Sequence, residues 1–298
     1  MNSYFEEKGY LELLKDTINN SEKKQTRNGT VYSRFGTMIT FSNLNNNFPL
    51  LTTKKMFIKG IIEELLWFLK GSTNAKELQN KNIHIWDLNS SREYLDSIGL
   101  NHYEEGELGP IYGWQWRNFG KLYHNNNNNN NGFDQIKYII EELMKPDNSR
   151  RAVLSAWNPV QLKQMALPPC HITYTFYKDS KGLSCLMNMR SSDLFLGLPF
   201  NIASTALLTR IIAEVLHLKT NTISIVSTDA HIYIDHIDAI HEQIQNPILR
   251  LPKLEIKKKA PSIEQSIEEK IEWINNLKYE DFYIFEYECA NSIKAPIK

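Results

Sequence analysis

The amino-acid sequence predicts one α+β domain over residues 1–298. Segments with helix-like spacing of apolar residues and segments with strand-like alternation follow one another in no strict order, a mixture that is typical of α+β proteins. Neither a linker nor an internal repeat divides the chain. With 42% hydrophobic residues, the chain has enough apolar side chains to form a sizeable core.

Apolar spacing predicts helices along most of the chain. They cover residues 4–18, 58–70, 133–145, 199–218, a segment that ends near 245, and 262–277. The second helix is apolar nearly all round and is followed by Gly71, which is typical of a helix C-terminus. In it, Glu63 and Glu64 lie about 100° apart. We expect one carboxylate to face the interior, although a surface position suits a glutamate equally well.

Alternating apolar residues predict the strands. They cover residues 31–41, 152–157, 171–177, 183–190, 222–233, 254–257 and 281–286. Asp229, His231 and Tyr233 occupy alternate positions in one strand and therefore share a face. The asparagine run at 125–131 cannot contribute to a core, which predicts a surface insertion.

Composition and charge argue against several classes of protein. Lys plus Arg and Asp plus Glu both number 34, so a zero net charge argues against a general nucleic-acid binder. Three cysteines without a C-x-x-C pair indicate a reducing compartment, and we expect the cytoplasm. The longest apolar runs are too short or too mixed to predict a membrane span. No metal site is expected, because His231, His236 and His241 are spaced by five and no zinc motif is present.

The strongest candidate for a reactive group is Cys170, which stands directly before a predicted strand. Arg190 ends the partner strand, and a fixed cation beside a thiol favours the nucleophilic thiolate. A lone cysteine is more often a buried structural residue, and this reading stays open here. His171 is not an obvious partner base, because adjacent strand residues point to opposite faces.

Five residues are candidates for binding a phosphate group, and each alone is more often a surface residue. Arginine offers phosphate a planar, always charged fork of donors. The candidates are Arg27, Arg150, Arg151, Arg190 and Ser191.

Several ordered motifs together resemble the thymidylate synthase family, which also contains pyrimidine nucleotide hydroxymethylases. The matching segments are 48–54, 64–68, 85–87, 108–113, 149–151, 167–171, 190–204, 229–233 and 251–254. They run through nearly the whole chain, excepting residues 89–107 and the asparagine run. The resemblance implies a mixed β-sheet flanked by helices, with sheets packing together in a homodimer.

The implied reaction is the reductive methylation of dUMP to dTMP, with 5,10-methylenetetrahydrofolate as co-substrate. The resemblance implies that Cys170 adds to C6 of the base as nucleophile. Arg190 would keep the sulfur ionised and bind phosphate. Glu64 would move protons through water, and Tyr112 would assist proton removal at C5.

The remaining implied roles concern the two substrates. Trp86 and Asp193 would border the folate, with Asp193 bonding its pterin, and Lys54 would meet its glutamate tail. For the nucleotide, the resemblance implies a phosphate site, a sugar site and a base site. These are Arg27, Arg190 and Ser191 with Arg150 and Arg151 from the partner subunit for the phosphate, His231 and Tyr233 for the 3′-hydroxyl, and Asn201 for the base.

Four departures from the family pattern leave alternatives open. Met189 replaces the usual Gln, and Ser227 and Thr228 stand where a glycine, often a pair, usually precedes Asp229. The usual Asp-Arg-Thr-Gly of the phosphate loop reads Thr-Arg-Asn-Gly at 26–29, and the tail ends about one residue early. One alternative is a dUMP hydroxymethylase, in which water traps the same intermediate. The other is a weakly catalytic family member that mainly binds nucleotide or RNA; the neutral charge and the presence of Cys170 and Tyr112 argue against it.

Overall fold

The computed structural model describes residues 2–124, 132–147 and 149–297. Among these residues the helices are α1 Glu6–Asn20, α2 Ile58–Leu69, α3 Lys76–Gln79, α4 Asp87–Ser90, α5 Arg92–Ser97, α6 Tyr112–Asn118, α7 Gln135–Met144, α8 Gly197–Val215, α9 Ile237–Gln245 and α10 Ile267–Asn275. The strands are β1 Asn2–Phe5, β2 Glu22–Thr26, β3 Gly29–Phe41, β4 Val153–Ser155, β5 His171–Asp179, β6 Gly182–Asp193, β7 Thr220–Tyr233, β8 Lys253–Ile256 and β9 Phe282–Phe285. The asparagine run at 125–131 lies outside the described residues, so its surface position stays a prediction.

The larger sheet is mixed, which confirms the predicted α+β class. Its strand order is β1-β3-β7-β6-β5-β4, with β2 paired to β3. The β1–β3 and β6–β7 pairs are parallel, whereas the other pairs are antiparallel. A separate two-stranded sheet joins β8 to β9.

The core forms where helix α8 packs on strands β6 and β7. Helix α8 is long and apolar enough to cross a membrane, but most of it is buried inside the protein, as in a core helix. Helices α2 and α6 also approach each other closely: a Cβ added to Gly113 would lie only 2.7 Å from the Phe68 carbonyl oxygen. This contact brings Tyr112, the first residue of α6, to the core next to Phe68.

Several large apolar side chains of strands β4, β5 and β6 face solvent. Leu154, Tyr174 and Cys185 are buried, whereas their neighbours Val153 and Leu186 are 39% and 37% exposed. Tyr177 on β5 is 59% exposed. Since alternate strand residues point to opposite faces, these residues belong to a sheet face that is open in the single chain.

Two predicted elements begin later than their apolar pattern suggested. Tyr4 belongs to β1, where it pairs with Ile39, and α1 begins only at Glu6. Helix α10 begins at Ile267 because Ser266 and Glu269 form a capping box there. Strand β2 was not predicted, since all five of its residues are exposed and polar or charged.

Candidate active site

The β5–β6 hairpin places Cys170 beside Arg190. Arg190 Nη2 lies 3.8 Å from Cys170 Sγ, and the Arg190 backbone N–H donates to the Cys170 carbonyl oxygen at 2.9 Å. The guanidinium is fixed by two further bonds of 2.8 Å, from Nε to the Pro169 carbonyl and from Nη2 to the Pro168 carbonyl. The structure therefore brings the predicted thiol and cation together.

Burial and charge have opposite effects on the Cys170 thiol. Burial raises the pKa of Cys170 above its usual value, and the Arg190 charge lowers it by less. The expectation that Arg190 keeps the sulfur ionised stays a prediction, because in the protein without ligand the net shift of the Cys170 pKa is upward despite the Arg190 charge. Desolvation of the sulfur outweighs a single guanidinium that also serves two carbonyls.

Behind the thiol, the rings of Trp86, Tyr112 and His171 contact one another, and we call this group the aromatic wall. Tyr112 is 3% exposed, and its ring stacks on His171 with 4.1 Å between ring centroids. The Cys170 backbone N–H donates to Tyr112 Oη at 2.8 Å, which leaves the hydroxyl hydrogen of Tyr112 available to another acceptor. Burial lowers the pKa of His171 to about 3, so its imidazole is neutral; it bonds to Tyr174 Oη at 2.8 Å.

The adjacent glutamates of α2 occupy different surroundings. Glu63 pairs with Lys81 Nζ at 2.5 Å. Glu64 accepts a 2.8 Å bond from Trp86 Nε1, and burial raises the pKa of Glu64 to about 7, an effect that the Trp86 bond partly opposes. Trp86 also contacts Tyr112, with ring centroids 6.0 Å apart. Glu64 is thus the carboxylate that faces the aromatic wall.

Asp193 lies at the end of β6 and caps the turn into α8. Its Oδ1 accepts from the backbone N–H groups of Phe195 at 2.9 Å and Leu196 at 3.2 Å. Lys54 is 5% exposed, and its Nζ donates to the Phe195 carbonyl oxygen. Burial lowers the pKa of Lys54 to about 7, against the opposing charge of Asp193. This burial does not present Lys54 as an open cation, so contact with a glutamate tail would require its side chain to move.

Asn201 lies in the first turns of α8, with its amide next to β6. Its Nδ2 is 3.8 Å from Met189 Sδ, and Met189 is 2% exposed. Thr205 Oγ1 donates to the Asn201 carbonyl oxygen at 2.6 Å. The side chain of Asn201 remains partly exposed, so part of its amide is open to a ligand.

His231 and Tyr233 lie together near the end of β7. His231 Nδ1 is 3.2 Å from Asp229 Oδ1, and this bond is the main cause that lowers the pKa of Asp229. With its hydrogen on Nδ1, His231 would offer Nε2 as an acceptor. The rings of His231 and Tyr233 meet edge to face at 5.3 Å. Burial raises the pKa of Tyr233, and Arg27 is near enough to oppose this increase.

The structure does not bring all the phosphate candidates together. Ser191 pairs in register with Asp229, and Arg27 belongs to the β2–β3 turn near Tyr233. Arg150 and Arg151 are exposed before β4. Because Val153 pairs with Thr175, they lie towards the far end of β5, about 25 Å from Cys170 at roughly 3.3 Å per residue.

Sequence reasoning assigned no structural role to three residues that hold the site segments in place. Asp229 anchors His231, and alternate spacing on one strand was the available signal. Glu7 on α1 accepts bonds of 2.7 Å from Thr52 and Thr53, next to Lys54. His236, which is fully buried, bonds to the Pro296 carbonyl oxygen at 2.8 Å through Nε2. The last two contacts join segments too distant in sequence for a local signal.

Within residues 2–124, 132–147 and 149–297, no group of three or more His, Cys, Asp or Glu side chains could hold a metal ion.

Comparison with known proteins gives a family model described as "Thymidylate synthase", which matches residues 8–298.

Individual relatives agree with the family model. A Candida albicans protein named "Thymidylate synthase" is 44% identical over 309 residues, covering 97% of this chain and 96% of that protein. An Oryza sativa protein named "Putative bifunctional dihydrofolate reductase-thymidylate synthase" is 52% identical over 254 residues, or 84% of this chain and 51% of that protein. A Zea mays protein named "Bifunctional dihydrofolate reductase-thymidylate synthase" is 51% identical over 262 residues, or 87% of this chain and 50% of that protein. The chain thus spans about half the length of these plant relatives.

Proposed function

Because this chain belongs to the thymidylate synthase family, we propose that it converts dUMP to dTMP with 5,10-methylenetetrahydrofolate as co-substrate. The observation that carries the proposal is the Cys170 thiol 3.8 Å from the Arg190 guanidinium, in front of a wall that contains Tyr112 and Glu64. Such a site suits covalent addition to an electron-poor ring, followed by proton transfers.

In the first step, the Cys170 thiol gives its proton to solvent and Sγ forms a bond to C6 of uracil. The electron pair of the C5–C6 double bond forms a C4–C5 double bond and places the negative charge on O4 as an enolate, so C5 becomes nucleophilic. The folate supplies the one-carbon group and the hydride. Arg190, whose Nη2 lies 3.8 Å from Sγ, would be the cation that stabilises the thiolate as it forms.

Glu64, beside the aromatic wall, and Tyr112, within it, would take part in the proton transfers. The pKa of Glu64, about 7, allows this carboxyl to donate and accept protons near neutral pH. Tyr112 is held by the Cys170 N–H, with its own hydrogen free, so it would position water for removal of the C5 proton. Trp86 and Asp193 would border the folate: Trp86 Nε1 donates to Glu64, and Asp193 Oδ1 accepts from the backbone N–H groups of the turn before α8.

The nucleotide would be held at its three chemical parts. Asn201 would bind the base, and His231 with Tyr233 would bind the 3′-hydroxyl. Arg27, Arg190 and Ser191 would bind the phosphate.

Two more cations would come from a second copy of the chain. In their own subunit, Arg150 and Arg151 lie at the far end of β5. We therefore propose a homodimer formed by the open sheet face that includes Val153, Tyr177 and Leu186, in which Arg150 of the partner subunit and Arg151 of the partner subunit complete the phosphate site. The three free cysteines favour a reducing compartment, and we propose the cytoplasm.

The second candidate function is a dUMP hydroxymethylase. It is favoured by buried Met189 beside Asn201, because a thioether offers less hydrogen bonding to an ordered water network than the usual Gln. In this reaction water adds to the exocyclic methylene and no hydride is transferred.

Product analysis tests the proposal. The protein is incubated with dUMP and methylenetetrahydrofolate, and both the nucleotide and the folate products are identified by mass spectrometry. We expect dTMP and dihydrofolate in equal amounts, because hydride transfer oxidises the folate. Only tetrahydrofolate and 5-hydroxymethyl-dUMP would establish the hydroxymethylase, and no change in either substrate would contradict both functions.

A further inference from the structure

Buried Met189 contacts the side-chain amide of Asn201. Met189 Sδ lies 3.8 Å from Asn201 Nδ2, at a position where the family resemblance leads us to expect Gln. We propose that Met189 is a specificity-determining residue, which orients the Asn201 amide so that the site accepts uracil and rejects cytosine. This inference rests on the proposed function, in which Asn201 binds the base.

The argument begins with the chemistry of the thioether. A methionine sulfur is a weak acceptor and carries no hydrogen, so it can receive an N–H but cannot donate to an oxygen. If the amide turned over, Oδ1 would face Sδ, and two acceptors would meet with no hydrogen between them. The sulfur therefore favours one of two amide orientations that have nearly the same shape.

The surroundings of Asn201 leave the other edge of the amide for a ligand. A Cβ on Gly197 would lie 3.9 Å from Nδ2, so the nitrogen side of the amide faces Gly197 and Met189. Thr205 fixes the backbone below through its 2.6 Å bond to the Asn201 carbonyl oxygen. Oδ1 and the second hydrogen on Nδ2 remain for the base, and the side chain is partly exposed.

This edge matches uracil. Oδ1 can accept from the N3–H of uracil while Nδ2 donates to O4. Cytosine presents an acceptor at N3 and a donor at N4, so it fits only the reversed amide. Met189 thus raises the cost of binding cytosine by opposing the reversal, and a residue without an acceptor at this position would lose that discrimination.

The chain contains a matched control for this contact. Met187 is fully buried on the same strand, and its Sδ lies 3.4 Å from Thr205 Oγ1. Replacing Met187 by Leu removes an equivalent buried sulfur without touching the Asn201 side chain. Comparison of the two positions separates the orientation of the amide from a general effect of core packing.

The test measures the dissociation constants of dUMP and dCMP for the full chain and its variants by calorimetry. We expect Met189→Leu to lower the preference for dUMP about 3- to 10-fold, the range for loss of a single hydrogen bond. Met189→Gln should lower it as well, because a glutamine amide can accept from Nδ2 or, turned over, donate to Oδ1, and so tolerates both orientations of Asn201. Met187→Leu should preserve the preference.

A second measurement uses Asn201→Ala, in which Met189→Leu should not change the ratio of the two constants. An unchanged ratio in Met189→Leu, or an equal loss in Met187→Leu, would overturn the inference while leaving the proposed function intact. A wild-type protein that does not bind dUMP would overturn both. If Met189→Leu does not fold, Met189→Gln provides the same test, and an unchanged ratio in that variant would overturn the role of the sulfur as an acceptor that cannot donate.

Discussion

The residues around Cys170 already have partners within a single chain, whereas Arg150 and Arg151, which we call the outer arginines, face solvent. Arg190, Tyr112 and Glu64 each already have a hydrogen-bond partner within the protein. Arg150 and Arg151 are exposed at the far end of β5. Buried polar groups must be paired inside the fold, whereas exposed guanidinium groups stay hydrated until an anion arrives.

The difference implies different kinetic consequences. Residues around Cys170 are positioned before substrate binds, so their replacement should lower kcat. The outer arginines would act mainly on binding of the phosphate, so their replacement should raise KM. The variants below test this distinction.

The largest effect is expected for Cys170→Ser. A serine hydroxyl is hardly ionised near neutral pH, so we expect turnover to fall by about 10⁴-fold or more while dUMP still binds. Turnover and calorimetric binding are measured together, and Cys289→Ser, which changes another partly exposed cysteine, should remain active.

A covalent adduct provides the complementary measurement. Wild type with 5-fluoro-dUMP and methylenetetrahydrofolate should gain the mass of both compounds, because fluorine does not leave C5 as a proton does. Full turnover in Cys170→Ser, or no adduct in wild type, would remove Cys170 from the nucleophilic role.

The proximity of Cys170 to Arg190 could be predicted because it follows from one hairpin. Residues 179–182 form the turn, and antiparallel pairing around it returns residue 190 to residue 170. The alternate placement of Asp229 and His231 is local in the same way. The strand period explains the placement of Asp229 and His231, whereas the first arrangement also needs the register shift between His171 and Thr173, which brings Arg190 instead of Ser191 opposite Cys170.

Other features depend on packing between distant segments and could not be predicted from local patterns. The burial of Lys54 depends on the Phe195 carbonyl, 141 residues away in sequence. The selection of Glu64 over Glu63 depends on Trp86 and Lys81, which come from the segment after α2. The net effect on the Cys170 pKa required the balance of burial and charge in three dimensions.

Glu64→Gln should cause the second largest loss, about 10²- to 10³-fold in kcat, which is typical for removal of a group that transfers protons. Wild-type activity should change with pH near 7, the pKa of Glu64, and the variant should lack this change. Glu63→Gln is the matched control, because it removes the same charge from the side of α2 that faces Lys81. A similar loss in both variants would contradict the special role of Glu64.

The same carboxyl predicts a change in stability with pH. Folding raises the pKa of Glu64 from 4.5 to about 7. Between these pH values the carboxyl is ionised in the unfolded chain but still protonated in the folded protein, so a rise in pH stabilises the unfolded chain relative to the folded one. Wild type should therefore lose up to about 3 kcal/mol relative to Glu64→Gln as pH rises through this window. Denaturant unfolding at pH 4.5 and pH 8 measures the difference, and an equal difference at both values would contradict the raised pKa.

The smallest effect per site is expected for the outer arginines, and it tests whether the phosphate site is shared between subunits. Arg150→Ala should raise the KM for dUMP about 10-fold, because one charge-assisted contact to phosphate is lost. A double variant, Arg150→Ala with Arg151→Ala, should have little activity at ordinary dUMP concentrations. Mixing it with Cys170→Ala under conditions that exchange subunits should restore about a quarter of wild-type activity, because half of the dimers would be mixed and each would contain one complete site. Light scattering checks the dimer. If the mixture stays inactive although mixed dimers are present, Arg150 and Arg151 act within their own subunit, and the distinction between the two regions would need another explanation.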